Sequence, residues 1–336
     1  MARRALIASL PGPVLTPEDA AVLRALDPAG VILFARNCVD RAQLAALCAA
    51  VRDCLGWYAA ILIDQEGGRV ARLRPPHWPD FPPAAAFGAL YARAPITAMA
   101  AARANARAIA AVLAEVGIDV DCLPVLDVPA PDVHEVIGDR AYASDPMWIA
   151  ALGAATLDGL WEGGVAGVLK HVPGHGRARA DSHHELPVVD ASDAELERDL
   201  APFRALARRP SATAAMTAHI VYTAWDAARC ATCSPAIIGQ VIRKRIGFDG
   251  LLMSDDLGMK ALRGTLESNA CEALAAGCDL VLHCSGDLGE LRRLEAVVPP
   301  LTPVGQARLD RLRPPAPAAA DVDALLAERD ALMAAA

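Results

Sequence analysis

The sequence predicts an α/β fold, a single (β/α)8 barrel of TIM type spanning residues 1–336, and three observations carry that expectation. Strand-like and helix-like segments alternate along nearly the whole chain, eight strands in all. The strands are short and almost continuously apolar, as parallel strands buried on both faces must be. A doubly wound sheet would show a glycine-rich fingerprint after its first strand, and Leu10-Pro11-Gly12-Pro13 stands there instead.

In chain order the strands are expected at residues 5–10, 30–34, 59–64, 119–124, 165–171, 214–220, 250–254 and 279–283. Between them, apolar residues at three- and four-residue spacing predict helices, among them 42–55, 97–116, 149–161, 194–208, 235–246 and 268–276. Cap residues agree. Thr16-Pro17-Glu18 opens one helix and Ser234-Pro235 another, while Gly117 and Gly247 close two. No internal repeat or interdomain linker interrupts the pattern. A Pro/Ala-rich run, 314–320, leads to a last amphipathic helix at 322–333, expected to lie against the barrel wall.

Composition narrows the function. The chain is 54% apolar and 21% charged, which describes a globular protein with ample core. The formal net charge of −8 and the lack of a Lys/Arg block argue against a nucleic-acid partner. The N-terminus has two arginines and a short apolar run, but Pro11, Pro13 and then Glu18-Asp19 break any likeness to a signal peptide. No apolar run approaches the ~20 residues that cross a bilayer. A soluble cytoplasmic monomer is expected. Nine cysteines fit a reducing compartment, and Cys230-Ala-Thr-Cys233 is a lone CxxC without a second pair.

Polar residues directly after apolar strands converge on one face of a barrel. Here they are Asp64, Asp127, Lys170-His171, the Thr217 to His219 stretch, Asp255-Asp256 and His283. The richest loop, 170–187, reads KHVPGHGRARADSHHELP. Its glycines, prolines and four histidines predict few apolar anchors, groups able to move protons, and a mobile segment over 172–187. After the third strand, Asp64-Gln65-Glu66-Gly67-Gly68-Arg69-Val70-Ala71-Arg72 joins an acid, a glycine turn and two arginines. It reads either as a tight loop with an internal ion pair or as a sugar-binding loop in which Asp64 accepts from hydroxyls and Arg72 clamps an oxygen. Successive side chains on a strand point opposite ways, so one of Asp255 and Asp256 should face the barrel axis.

Taken together, KHxPGHG, the downstream DSHxxLP, DQEGGRVxR and SDDLGM resemble the bacterial β-N-acetylhexosaminidases of glycoside hydrolase family 3. More narrowly, they resemble the single-domain cytoplasmic type that recycles peptidoglycan fragments. The resemblance implies a retaining exo-β-N-acetylglucosaminidase that takes terminal N-acetylglucosamine from anhydro-muropeptides through a covalent glycosyl-aspartate. It implies Asp255 as nucleophile, His183 as general acid/base and Asp181 as the group orienting it. Sugar contacts fall on Asp64, Arg72, Arg140, Lys170 and His171. No cofactor, metal or macromolecular partner is implied, only a small glycan substrate. Arg177 departs from the pattern, because the family commonly has an acid there.

These residue types suit the chemistry. Retaining cleavage sets a carboxylate about 5–5.5 Å from an acid across the bond. A histidine can be that acid, since its ordinary pKa of ~6.5 lies near working pH. Two other classes stay open from the residues alone. His171, His175, Asp181, His183 and His219 could form a metal ligand set, or the barrel could bind sugar without cleaving it.

Overall fold

Strands β1 (Arg4–Ser9), β2 (Pro28–Leu33), β3 (Ala60–Ile63), β4 (Val120–Asp121), β5 (Ala166–Val172), β6 (Ala214–Thr217), β7 (Leu251–Asp256) and β8 (Leu280–Leu282) close a parallel barrel. The computed structural model describes residues 3–130, 137–178, 182, 185–316 and 320–335. Closure is direct: Ile7 of β1 sits opposite Gly30 of β2 on one side and Leu282 of β8 on the other. A side chain at Gly30 would meet the Ala60 carbonyl at 2.6 Å, so the strands can approach only with glycine there. All eight strands fall where the apolar runs place them.

Length is where sequence and structure differ most. β4 has two residues rather than the six expected, because Pro124 has no N–H to offer the ladder. The Leu123 N–H turns back onto the Asp121 carbonyl at 2.8 Å. Bonding to β5 nevertheless runs on: the Val168 and Lys170 N–H groups reach the Leu123 (2.9 Å) and Pro124 (3.2 Å) carbonyls, and the Leu126 N–H reaches the Lys170 carbonyl at 2.7 Å. Asp127 is thereby carried alongside the end of β5.

Helices α1 (Pro17–Leu26), α2 (Arg41–Leu55), α3 (Ala84–Tyr91), α4 (Pro95–Glu115), α5 (Pro146–Glu162), α6 (Asp193–Leu206), α7 (Leu266–Ala276), α8 (Leu288–Val297), α9 (Pro303–Asp310) and α10 (Val322–Ala334) surround or extend the barrel. Thr16 and Asp19 cap α1 reciprocally. Where the sequence predicts an ordinary helix after Ser234-Pro235, the segment Ile237–Ile246 winds as a π-helix and ends at Gly247. α4 corrects one expectation: its 21 residues are long and apolar enough, by length and composition, to span a bilayer. It is nevertheless a core helix here, with 61% of that window buried. α10 lies against α4, with Leu325 buried and the Arg329 guanidinium 3.2 Å from the Asn105 side-chain oxygen.

Candidate active site

The loop after β3 is shaped by one buried amide. Gln65 is 1% exposed, and its N–H donates to Asp121 Oδ1 at 2.9 Å. Its side-chain oxygen accepts the N–H groups of Arg72 (2.9 Å) and Leu73 (3.0 Å), while its Nε2 donates to the Leu73 carbonyl at 3.0 Å. The turn inside this ring holds Gly67 at φ +96°, where a side chain would also strike the Pro82 carbonyl. Asp64, Glu66 and Arg72 are thus presented on one wall.

Lys170, at the end of β5, is 2% exposed and reaches that wall from across the barrel. Its Nζ lies 2.8 Å from Asp64 Oδ1 and 2.7 Å from Glu66 Oε1. Arg72 Nη2 takes the other oxygen of Asp64 at 3.0 Å. Arg140 grips Glu66 with two bonds of 2.8 Å, the planar fork that guanidinium and carboxylate favour. Burial alone would raise both acids, but the cations outweigh it and hold Asp64 and Glu66 below the usual carboxylate range. Three cations face two carboxylates, which leaves the wall one positive charge. Arg72 Nε is buried with no hydrogen-bond partner among the described residues. A bound hydroxyl or carbonyl oxygen would satisfy it.

A second buried acid organises the far side of Lys170. Asp127 Oδ1 accepts the N–H of His171 (3.1 Å) and of His175 (2.6 Å), and its Oδ2 lies 2.7 Å from His171 Nδ1. Burial pushes Asp127 up, but His171, His175 and these N–H groups bring it down to about 2. His175 is uncharged, since burial and the neighbouring His171 lower it to about 4. Its Nε2 lies 3.1 Å from Ser182 Oγ.

The first part of the 172–187 loop differs from the expectation of few anchors. Val172, His175 and Ala178 are buried, and the Tyr222 hydroxyl donates to the Gly174 carbonyl at 2.6 Å. Gly176 leaves no room for a Cβ, which would lie 2.0 Å from the Val128 carbonyl oxygen. Arg177, the residue that departs from the family pattern, donates its Nε to Asp199 Oδ2 at 2.6 Å and so finds an acid on α6. Asp181 and His183 lie outside the described residues.

β7 ends in the two aspartates, and both line the same cavity. Their settings diverge. Asp256 Oδ1 accepts N–H groups from Gly258 (3.2 Å) and Cys284 (3.0 Å), and burial together with the charge of Asp255 raises its pKa. Asp255 accepts only the N–H of Asp256, at 2.8 Å, among the described residues. Burial acts to raise Asp255 too, but His171 and His219 outweigh it and lower its pKa.

The cavity holds about 410 Å³, within the roughly 300–1,000 Å³ usual for small-molecule sites. It unites Asp64, Arg72, Arg140, Lys170, His171 and Asp255, six of the residues the sequence singles out. Glu66 belongs with them. An acid two positions from Asp64, facing a lysine that must be buried at a strand end, was the available signal. Four expected strand-end residues do not line the cavity: Asp127 stands behind His171, Thr217 pairs with the Thr232 hydroxyl, and His219 and His283 are engaged elsewhere. His219 is fully buried, with Nδ1 2.7 Å from Thr232 Oγ1 and Nε2 2.9 Å from the Asp256 carbonyl. His283 turns toward Glu290 and Ser285. With both ring nitrogens engaged, His219 has no lone pair for a metal. Among the described residues no three His, Cys, Asp or Glu side chains group as a metal site.

A parallel barrel with a lysine-bridged acid wall and a paired aspartate at the seventh strand defines the class. Residues 12–312 match the glycosyl hydrolase family 3 N-terminal domain, and the chain belongs to that family of glycoside hydrolases. Its relatives are specific in kind. It is 39% identical over 334 residues to a β-hexosaminidase of Bordetella avium, covering 95% of this chain and 92% of that one. A β-hexosaminidase of Bordetella pertussis is 40% identical over 293 residues, with 86% and 82% covered. Among solved structures, NagZ from Neisseria gonorrhoeae in complex with N-trifluoroacetyl-D-glucosamine superimposes with a TM-score of 0.89 at 31% identity, over 99% of this chain and 98% of that one.

Proposed function

We propose that this chain is a retaining exo-β-N-acetylglucosaminidase that removes terminal N-acetylglucosamine from peptidoglycan fragments such as anhydro-muropeptides. On this reading it works in the cytoplasm as a monomer, in cell-wall recycling. The observation that carries the reading is the contrast between Asp255 and Asp256. Two neighbouring carboxylates are driven apart, one toward the ionised form and one away from it, which is how acid and nucleophile roles are separated. Asp255 is the one driven toward the ionised form. No lysine or arginine hydrogen-bonds it among the described residues, so its oxygens stay available to attack carbon.

Asp64, Arg72, Arg140, Lys170 and His171 are the proposed sugar contacts. Glu66 holds Lys170 and Arg140 where they can serve. Attack by Asp255 forms the glycosyl-aspartate while His183, oriented by Asp181, protonates the leaving oxygen. The same histidine then takes a proton from water, which attacks the anomeric carbon and releases Asp255. The N-acylated glucosamine held by the gonococcal relative favours a 2-acetamido sugar in this cavity.

A nitrophenyl N-acetylglucosaminide tests the activity, and it should be hydrolysed with retention. No hydrolysis, or hydrolysis abolished by a chelator, would overturn the reading. His183→Ala tests the acid. Poor leaving groups should slow most, whereas a nitrophenolate needs no proton and its first step should suffer less. Equal loss for both would assign His183 to binding instead.

A further inference from the structure

We propose that Asp127 is a positioning residue, whose buried carboxylate fixes which ring nitrogen of His171 faces the substrate. The inference rests on the reading above only in taking the cavity to receive a sugar. Asp127 is 0% exposed and lies beyond the end of the shortened β4, where no lysine or arginine hydrogen-bonds it among the described residues. Burying a carboxylate is costly unless something specific requires the charge. The two backbone N–H groups on Oδ1 do not require it, since a neutral asparagine oxygen accepts equally well.

The contact on Oδ2 is different. A carboxylate can only accept, so at 2.7 Å it obliges His171 Nδ1 to carry a proton. Asp127 stays ionised, with the low pKa already described, so the obligation holds across the working range. In the neutral ring, Nε2 is then the bare nitrogen. It has no hydrogen-bond partner among the described residues, and His171 lines the cavity with Asp255 and Lys170. Near Lys170 the cavity's donors are its own Nζ and the guanidinium groups of Arg72 and Arg140, and its acceptors there, Asp64 and Glu66, are already held by those cations. A bare Nε2 adds an acceptor beside them, which takes the proton of a sugar hydroxyl and leaves that hydroxyl's oxygen free to accept from a cation. The opposite tautomer would aim an N–H at the same hydroxyl and remove that complementarity.

The carboxylate also ties two elements together. By holding both His171 and His175 it fixes the end of β5 relative to the start of the loop, while His175 in turn reaches Ser182. Asp127→Asn separates these jobs. Its amide oxygen can keep the backbone bonds, but its NH2 presents a donor to Nδ1 and drives the proton to Nε2.

The test combines histidine ring-nitrogen NMR with a double-mutant cycle on the full chain, using nitrophenyl N-acetylglucosaminide as probe. In the wild-type protein the His171 signals, assigned by their loss in His171→Ala, should show Nδ1 protonated and Nε2 bare in the neutral ring. Asp127→Asn should reverse them and lower kcat/KM about 10- to 100-fold, the usual scale when an outer partner of a functional histidine is lost. In the His171→Ala background the same substitution should cost almost nothing more, because its effect passes through the ring. A wild-type ring with its proton on Nε2 overturns the proposal outright, without needing any variant to fold. Equal losses in both backgrounds, with the tautomer unchanged, would reduce Asp127 to a packing role. If the wild-type enzyme does not cleave the probe, the proposed reaction fails, and the NMR result still decides the tautomer.

Discussion

Asp255 and Asp256 are adjacent in sequence and unlike in setting, so their substitutions should separate cleanly. Asp255→Ala should fold and lose turnover by at least about 10⁴-fold, the scale of losing a nucleophile. Asp256→Ala gives up the bonds to Gly258 and Cys284. It should cost about 1–2 kcal/mol of stability, at roughly 1 kcal/mol per hydrogen bond, and keep far more turnover. Reversed effects would assign the nucleophile to the wrong aspartate. Asp121 offers a separate test of the electrostatics. Its Oδ2 is buried without a hydrogen-bond partner among the described residues, and burial raises its pKa to about 7 from an ordinary value near 3.8. Between those values the folded protein holds a proton that the unfolded chain has released. The stabilisation is therefore full below about pH 4 and lost as pH rises through 7. Asp121→Asn should have nearly wild-type stability at pH 4 and exceed it at pH 8. Comparing urea midpoints of the two proteins cancels the other titrating groups, and parallel pH curves would contradict the account.

At the scale of elements, the β3 loop is the piece whose geometry does most for binding. Gln65→Ala removes three side-chain hydrogen bonds at once and should cost about 2–4 kcal/mol. Because that loop carries Asp64 and Arg72, KM for the nitrophenyl substrate should rise more than kcat falls, and a pure kcat loss would be inconsistent with a binding loop. All eight strands were legible as apolar runs, since burial on both faces leaves no other composition possible. Their lengths were not. β4 stops early because the Leu123 N–H turns to the Asp121 carbonyl and Pro124 has none to give, details of backbone pairing that a composition pattern does not report. Glu66 was missed because its role depends on Lys170 arriving from a strand more than 100 residues away. His219 and His283 follow strands as active-site residues do, yet local partners, Thr232 and Glu290, claim their rings. The start of the 172–187 loop looked poor in anchors because its anchors, Asp127, Tyr222 and Asp199, come from other elements.

At the scale of the whole molecule, the barrel gathers carboxylates and cations from β3, β5, β7 and the Arg140 turn into one cavity. Such a network is costly to bury, and each partner satisfies another. Its asymmetry is what matters for chemistry: Asp64 and Glu66 are held by cations, while among the described residues no lysine or arginine pairs with Asp255 in the same cavity. On the proposed mechanism the Asp255 carboxylate attacks the sugar directly. Intact mass after incubation with 5-fluoro N-acetylglucosaminyl fluoride measures it. One added sugar mass is expected, which digestion maps to the peptide carrying Asp255. Turnover with no trapped adduct, together with strong inhibition by a thiazoline mimic, would contradict it and assign the attack to the substrate's own acetamido oxygen.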